Sequence, residues 1–191
     1  MSRAATICTI VIAAAALSLT GCMPKMTVEE MKAHMPQRPA ELDLLDMFVG
    51  NWDFTGEAKM DMLADRDSLT MTGHSEYKWE GDRWYLVGNG TFTMEPFGES
   101  KGMEMWTYDL QAKKFRSTWV DTMGSFGVGE ARYDEETSTW HMKGTSFGAW
   151  GKSTSKGSMH FPDANHMEWE FAEYQGLMKT IEMTGKGERV R

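Results

Sequence analysis

Cysteine is nearly missing from this chain. The 191 residues hold two, Cys8 and Cys22, and none follows. Whatever folds beyond them has no internal disulfide and no thiolate pair for a metal, so it must be held by its core alone. A basic surplus is missing too. The formal net charge is −8 and no Arg-rich run occurs, which argues against nucleic acid and against electrostatic docking on anionic headgroups. Long apolar runs are also lacking. Residues 4–19, "AATICTIVIAAAALSL", fall short of the roughly 20 residues of a comfortable membrane span. Finally, no Gly-x-Ser-x-Gly, His-Glu-x-x-His, phosphate-binding loop or Cys pair is found, so no catalytic residue set and no cofactor are expected.

What is present begins with a leader. Met1-Ser2-Arg3, the apolar run and small residues before Cys22 describe a secretory signal. Leu19-Thr20-Gly21-Cys22 resembles the bacterial lipobox. That resemblance implies cleavage after residue 21 and acylation of Cys22, which would become the first residue; an ordinary signal ending near a cysteine is the alternative. Cys8 would leave with the leader, and the mature chain would be one charge more negative. Met23 rather than Asp follows Cys22. In a cell with two membranes this resembles sorting to the outer membrane, facing the periplasm. Residues 22–38 read as a tether and 39–191 as one domain, large enough to bury about 70% of its unfolded surface.

Thr27 and Glu30 have capping-box spacing, so a short helix is expected to about Met35, before Pro36 and Pro39. Residues 40–48, "AELDLLDMF", read as a second short helix with Leu42, Leu45 and Phe48 on one side. From Gly50 the period becomes two. Trp52, Phe54, Gly56 and Ala58 alternate with polar residues, as do Leu69 to Trp79 and Trp84 to Met94 in turn. Turn signals at Glu80-Gly81-Asp82, Pro96-Phe97-Gly98, Asp134-Glu135-Glu136 and Gln175-Gly176 separate the runs. About ten strands follow, over 48–60, 67–79, 83–95, 101–110, 113–123, 125–133, 138–147, 152–161, 165–174 and 177–189. The links are too short for helical crossovers, so neighbours must pair antiparallel. Closure into an all-β, up-and-down barrel removes the exposed edges. An open two-sheet sandwich is the alternative. Glycine, at 19 residues, fits the sharp bends of a small barrel.

Gly50-Asn51-Trp52, opening a first strand after a short helix, resembles the Gly-x-Trp signature of lipocalin-like, or calycin, barrels. The stretch 39–52, Gly73, Gly81 to Val87, Tyr108-Asp109, Phe115, Thr118 to Met123, Tyr133-Asp134, Gly144, Met167-Glu168 and Ile181 to Met183 together resemble a bacterial family, domain-of-unknown-function fifteen-seventy-nine. The family supplies a fold and no established activity. One departure stands out: Thr107 occupies the family's usual glycine before Tyr-Asp, and is expected to narrow the interior locally. In lipocalin-like barrels an arginine of the last strand commonly covers the tryptophan, which makes Arg189 the candidate partner of Trp52 at a closed end near Gly50. The other reading of Arg189 is a frayed, solvated terminus.

Residues i and i+2 of a strand share a face. Trp106 and Tyr108 therefore pair on one strand, and Trp119 and Asp121 on the next. If both faces point inward they form an aromatic wall with one carboxylate, able to hold a small apolar or amphipathic molecule with one hydrogen-bonding or cationic end. Asp121 could instead satisfy a turn amide. Glu168 and Glu182 are further inward candidates, with Arg83 or Arg116 as mates. Four of the five His adjoin a Met, and Met totals 18. Thioether and imidazole suit Cu(I), and His141, His160 or His166 could ligate haem. Both readings are weaker than Met as filler of an adaptable core. A side-chain-filled barrel with a structural or envelope-interaction role is the rival to ligand binding, and the volume left inside discriminates between them.

Overall fold

The computed structural model describes residues 25–65 and 68–190. The leader over residues 1–21 and the lipidation candidate Cys22 lie outside them. The chain divides into two units between Gln37 and Arg38. In the first, α1 (Val28–Ala33) starts on a complete capping box: the Glu30 N–H donates to Thr27 Oγ1 at 3.2 Å and the Thr27 N–H donates to Glu30 Oε2 at 2.7 Å. No residue of α1 is buried.

The second unit opens with a nine-residue 3-10 helix, Ala40–Phe48. Leu42, Leu45 and Phe48 are spaced by three, so a three-residue turn stacks them in one row. All three are at most 1% exposed. Ten strands follow: β1 (Gly50–Met60), β2 (Leu69–Glu80), β3 (Tyr85–Met94), β4 (Gly98–Asp109), β5 (Lys114–Asp121), β6 (Phe126–Asp134), β7 (Thr139–Gly148), β8 (Gly151–Asp163), β9 (His166–Gln175) and β10 (Met178–Val190). Each pairs antiparallel with its sequence neighbour, and β1 pairs with β10 from Asn51↔Val190 to Met60↔Ile181. The sheet is thus a closed barrel, and the open sandwich is excluded.

Register sorts the side chains. Starting from buried Trp52, the ladder runs through Ser75, Gly90, Gly102 and Asp121 in one direction and through Arg189 in the other. These residues and every second one along their strands face inward. Inward positions are dominated by aromatic, Met, Gly and Ser residues, while outward ones carry Asp53, Glu57, Lys59, Glu168, Lys186 and their like. This apolar-in, polar-out order is opposite to that of a lipid-immersed barrel. Among the described residues no helix is long and apolar enough to cross a membrane.

The 3-10 helix plugs one end. Phe48 meets Trp106, Trp140 and Phe161 at ring-centroid distances of 5.8, 5.5 and 5.1 Å. Trp52 donates its indole N–H to the Phe48 carbonyl at 2.7 Å. Outside the plug, Trp79 lies between the Arg38 and Arg83 guanidinium groups, 5.2 and 4.8 Å from its ring, and donates to Asp46 at 2.6 Å. Arg83 binds the same carboxylate at 2.7 Å. The helix is therefore fastened to the β2–β3 turn by charge as well as by apolar contact.

Candidate functional site

Gly50 and Arg189 explain each other. Gly50 has φ +119°, in the range L side chains avoid, and a Cβ there would sit 2.9 Å from Arg189 Nη1. Opposite Trp52 in the ladder, Arg189 lays its guanidinium 4.4 Å from that ring. It donates to the carbonyls of Ala164 at 2.8 Å and Met47 at 2.9 Å, and to that of Val49. Burial pulls its pKa down from the ordinary arginine value, yet it stays charged. The last strand is thereby locked to the helix that precedes the first.

Beyond this floor the barrel is hollow. A cavity of about 420 Å³ extends to the open end, lined by Phe54, Tyr77, Phe92, Trp119, Trp169, Phe171, Met71, Met159 and Met183 among others. Large rings leave space here because they lie flat on glycine. A Cβ added at Gly127 would overlap the Trp119 ring, and one at Gly144 would come within 3.3 Å of it. Gly185 stands in the same relation to Trp169, and a Cβ added at Gly56, one strand farther on, would come within 3.1 Å of that ring. The strand glycines thus turn indoles from space-filling wedges into flat wall.

One carboxylate sits deep in that wall. Glu104 pairs with Trp119 across β4 and β5, lines the cavity and accepts from the Tyr77 hydroxyl at 3.3 Å. Burial raises its pKa from the usual carboxylate value; Trp106 and Tyr77 act the other way and do not offset it. The Trp106 indole N–H, buried and without an acceptor at ordinary hydrogen-bond geometry, lies near enough to favour the ionised form. Burial, and then the neighbouring Glu104, push Tyr77 well above the normal phenol value. A buried carboxyl beside a phenol places an acceptor and a donor side by side for a ligand group.

The four residues singled out from sequence all face inward, at different depths. Trp119 and Asp121 line the cavity. Trp106 is 3% exposed and belongs to the floor. Tyr108 is lower still, with its ring 5.1 Å from Phe115 and its hydroxyl 3.4 Å from Glu41. Asp121 uses Oδ1 to accept the N–H groups of Met123 at 2.9 Å and Ser125 at 3.0 Å, the turn role weighed above. Glu168 and Glu182 are corrections: both face out, toward Lys186 at 3.5 Å and Lys179 at 2.7 Å. Arg83 is taken by Asp46, and Arg116 by Asp109 and Glu130, each at 3.1 Å. Thr107 also faces out, donating to the Trp84 carbonyl at 2.9 Å, so it cannot narrow the interior. His141, His160 and His166 stand on the outer face, away from the cavity where a haem would lie. Among the described residues no three His, Cys, Asp or Glu side chains form a metal cluster.

Comparison with known proteins bears on the whole barrel. The family described as "Protein of unknown function (DUF1579)" matches residues 37–185. The chain belongs to that family. The search of curated proteins returned no match. Among solved structures, Rv2717c from M. tuberculosis is similar at 9% identity and TM-score 0.59, covering 81% of this chain and 100% of that one. The S-type phycobiliprotein lyase CPES from Guillardia theta is similar at 9% identity and TM-score 0.54, covering 87% and 99%. At such identities the likeness is one of fold. Glu104 of this DUF1579 barrel was missed in the sequence because a lone Glu between two Met residues carries no local signal; only its pairing with Trp119 marks it.

Proposed function

We propose that this protein is a lipid-anchored barrel of the bacterial cell envelope that holds a small, flat, apolar or amphipathic molecule. Cys22 is the anchoring residue. The observation that carries the binding reading is the cavity of about 420 Å³ walled by glycine-backed rings, a size within the range of small-molecule sites. A barrel serving only as a strut has no use for glycines that hold its indoles off the axis. Trp119 and Trp169 supply non-directional contact, and Glu104 with Tyr77 supplies the orienting polar pair, a role the sequence had suggested for Asp121. The ligand carries one hydrogen-bonding or cationic group.

N-phenyl-1-naphthylamine, flat and apolar with one N–H donor, is a suitable probe. Its fluorescence should rise on binding. Trp119→Ala should weaken binding about tenfold or more while the protein keeps its fold. Glu104→Gln should change which probes bind more than how tightly apolar ones do. Mass spectrometry of natively purified protein should reveal a co-purifying small molecule. A ligand-free spectrum together with no probe binding would return the barrel to the structural reading. For the anchor, Cys22→Ser should release the protein from membranes; a variant that still fractionates with them would remove that part of the proposal.

A further inference from the structure

The two rims differ in chemistry. Every turn at the open end carries an exposed large apolar residue: Met62, Phe97, Met123, Trp150 and Leu177. Trp150 is 56% exposed and Leu177 fully so. Turns at the closed end carry Asp82, Gln111, Lys113, Glu135, Glu136 and Asn165, with Leu110 the exception. Five alternate hairpins of the closed barrel carry these tips at the end where the apolar cavity opens.

The outer wall below the tips is layered. On β4–β7, Met103, Val120, Phe126 and Phe147 are register neighbours, all exposed, and Phe126 stacks on Phe147 at 6.4 Å. Below them comes a row of Thr118, Val128 and Thr145, and then Arg116, Glu130, Lys143 and Lys156. Three cations, Arg116, Lys114 and Lys143, converge on Glu130; with Lys156 counted and Asp109 beside Arg116 the level keeps a small positive surplus, local to this wall of a chain whose net charge is −8. Four residues of β5 separate the apolar band from the basic row, about 13 Å along a strand and about 10 Å along a tilted barrel. An apolar layer of that depth above a basic layer matches the step from acyl boundary to phosphate level in a bilayer. Tryptophan is enriched at that boundary. The turns carrying Met123, Trp150 and Leu177 hold no charge, whereas the sequence of those carrying Met62 and Phe97 includes Asp61, Asp65, Arg66, Asp67 and Glu95.

We propose that the open mouth docks, tilted, on a phospholipid bilayer with its β5–β7 apolar band and the Trp150 and Leu177 tips submerged, and that the cavity loads from the membrane. The loading half rests on the cavity reading above; the docking half does not. A Cys22 anchor permits this pose. The chain from Cys22 to Arg38, with α1 formed, reaches about 40 Å, and a tilted wall of this length is about 30 Å high.

The test uses the full chain in vesicles of phosphatidylcholine and phosphatidylglycerol whose acyl chains carry bromine near the headgroup. Trp150 is the exposed rim indole, so bromine should quench part of the tryptophan emission, and Trp150→Phe should abolish that quenching. No quenching in the unaltered protein, or quenching that persists in Trp150→Phe, overturns docking. So does a Trp150 emission shift that follows protein concentration without lipid, since a second copy would then cover the rim. The variant Trp150→Ser/Leu177→Ser changes only exposed tips that do not line the cavity. Transfer of N-phenyl-1-naphthylamine from vesicles should slow at least tenfold in it, with unchanged uptake from water. Equal transfer rates overturn membrane loading. Quenching without probe uptake keeps docking and removes the cavity reading; uptake without quenching does the reverse.

Discussion

The closed and open halves of this barrel use the same residue types to opposite ends. In the closed half Trp52, Trp106 and Trp140 are buried in one cluster with Phe48 and Phe161. In the open half Trp119 and Trp169 are as large, yet they lie flat and leave about 420 Å³. What differs is one neighbour across the strand: each wall indole has a glycine partner on one side, Gly127 or Gly185, and no floor indole has one, their partners being Ser75, Arg189, Leu86, Ser117, Tyr133 and Met159. Volume inside a small barrel is therefore set less by the aromatic residue than by the side chain that is missing opposite it.

The largest effect should come from the filled end. Trp140→Ala removes an indole in contact with Phe48, Trp106, Phe115 and Tyr133, and should cost about 3–5 kcal/mol in chemical denaturation. Arg189→Ala comes next. It uncovers Trp52 and leaves three carbonyls without their donor, for about 2 kcal/mol. The two halves could be made alike by Gly127→Ala, which forces the Trp119 ring off the wall; about 1–3 kcal/mol of overpacking should accompany a loss of probe binding. Unchanged affinity in that variant would break the comparison, because the glycine would then not be setting the volume.

Protonation sharpens it further. The folded pKa of Glu104 is raised, so the unfolded chain loses this proton first as pH rises. Its contribution to stability is full below the ordinary carboxylate value and falls as pH climbs from there to the raised folded value. Glu104→Gln should flatten that decline, read as unfolding midpoint against pH. A cationic ligand should displace the proton, so its binding should strengthen with pH. The smallest effect is expected on the outer wall. Lys143 and Lys114 hold Glu130 down at about 2. Its contribution is present above the unfolded value and lost as pH falls toward 2, so Glu130→Gln should lower the unfolding midpoint slightly at neutral pH and converge on the unaltered protein in acid.

Much of this architecture was legible in residue order. Period-two alternation from Gly50 onward, interrupted at short intervals by turn residues, is enough to require antiparallel neighbours, because no link is long enough for a crossover. The capping box of Thr27 and Glu30 and the three-residue spacing of Leu42, Leu45 and Phe48 are likewise local, and the helices formed where those signals lie. Gly50 and Trp52 marked the closed end through their resemblance to the Gly-x-Trp signature of lipocalin-like barrels, which is local in sequence. What sits at which depth was not legible. Tyr108 and Asp121 share the inward parity of Trp119, but one reaches the floor and the other a rim turn, and depth depends on the stagger of ten strands. Glu104 became notable only opposite Trp119, and Glu168 and Glu182 turned outward because closure fixed the parity of β9 and β10. The basic row of Arg116, Lys143 and Lys156 is scattered over three strands and assembles only across the ladder. Local order thus determined strands, turns and caps, whose interactions span a few residues. Cavity, buried acid and layered rim were decided by the tertiary structure, because each depends on the register between strands and on the closing contact of β1 with β10.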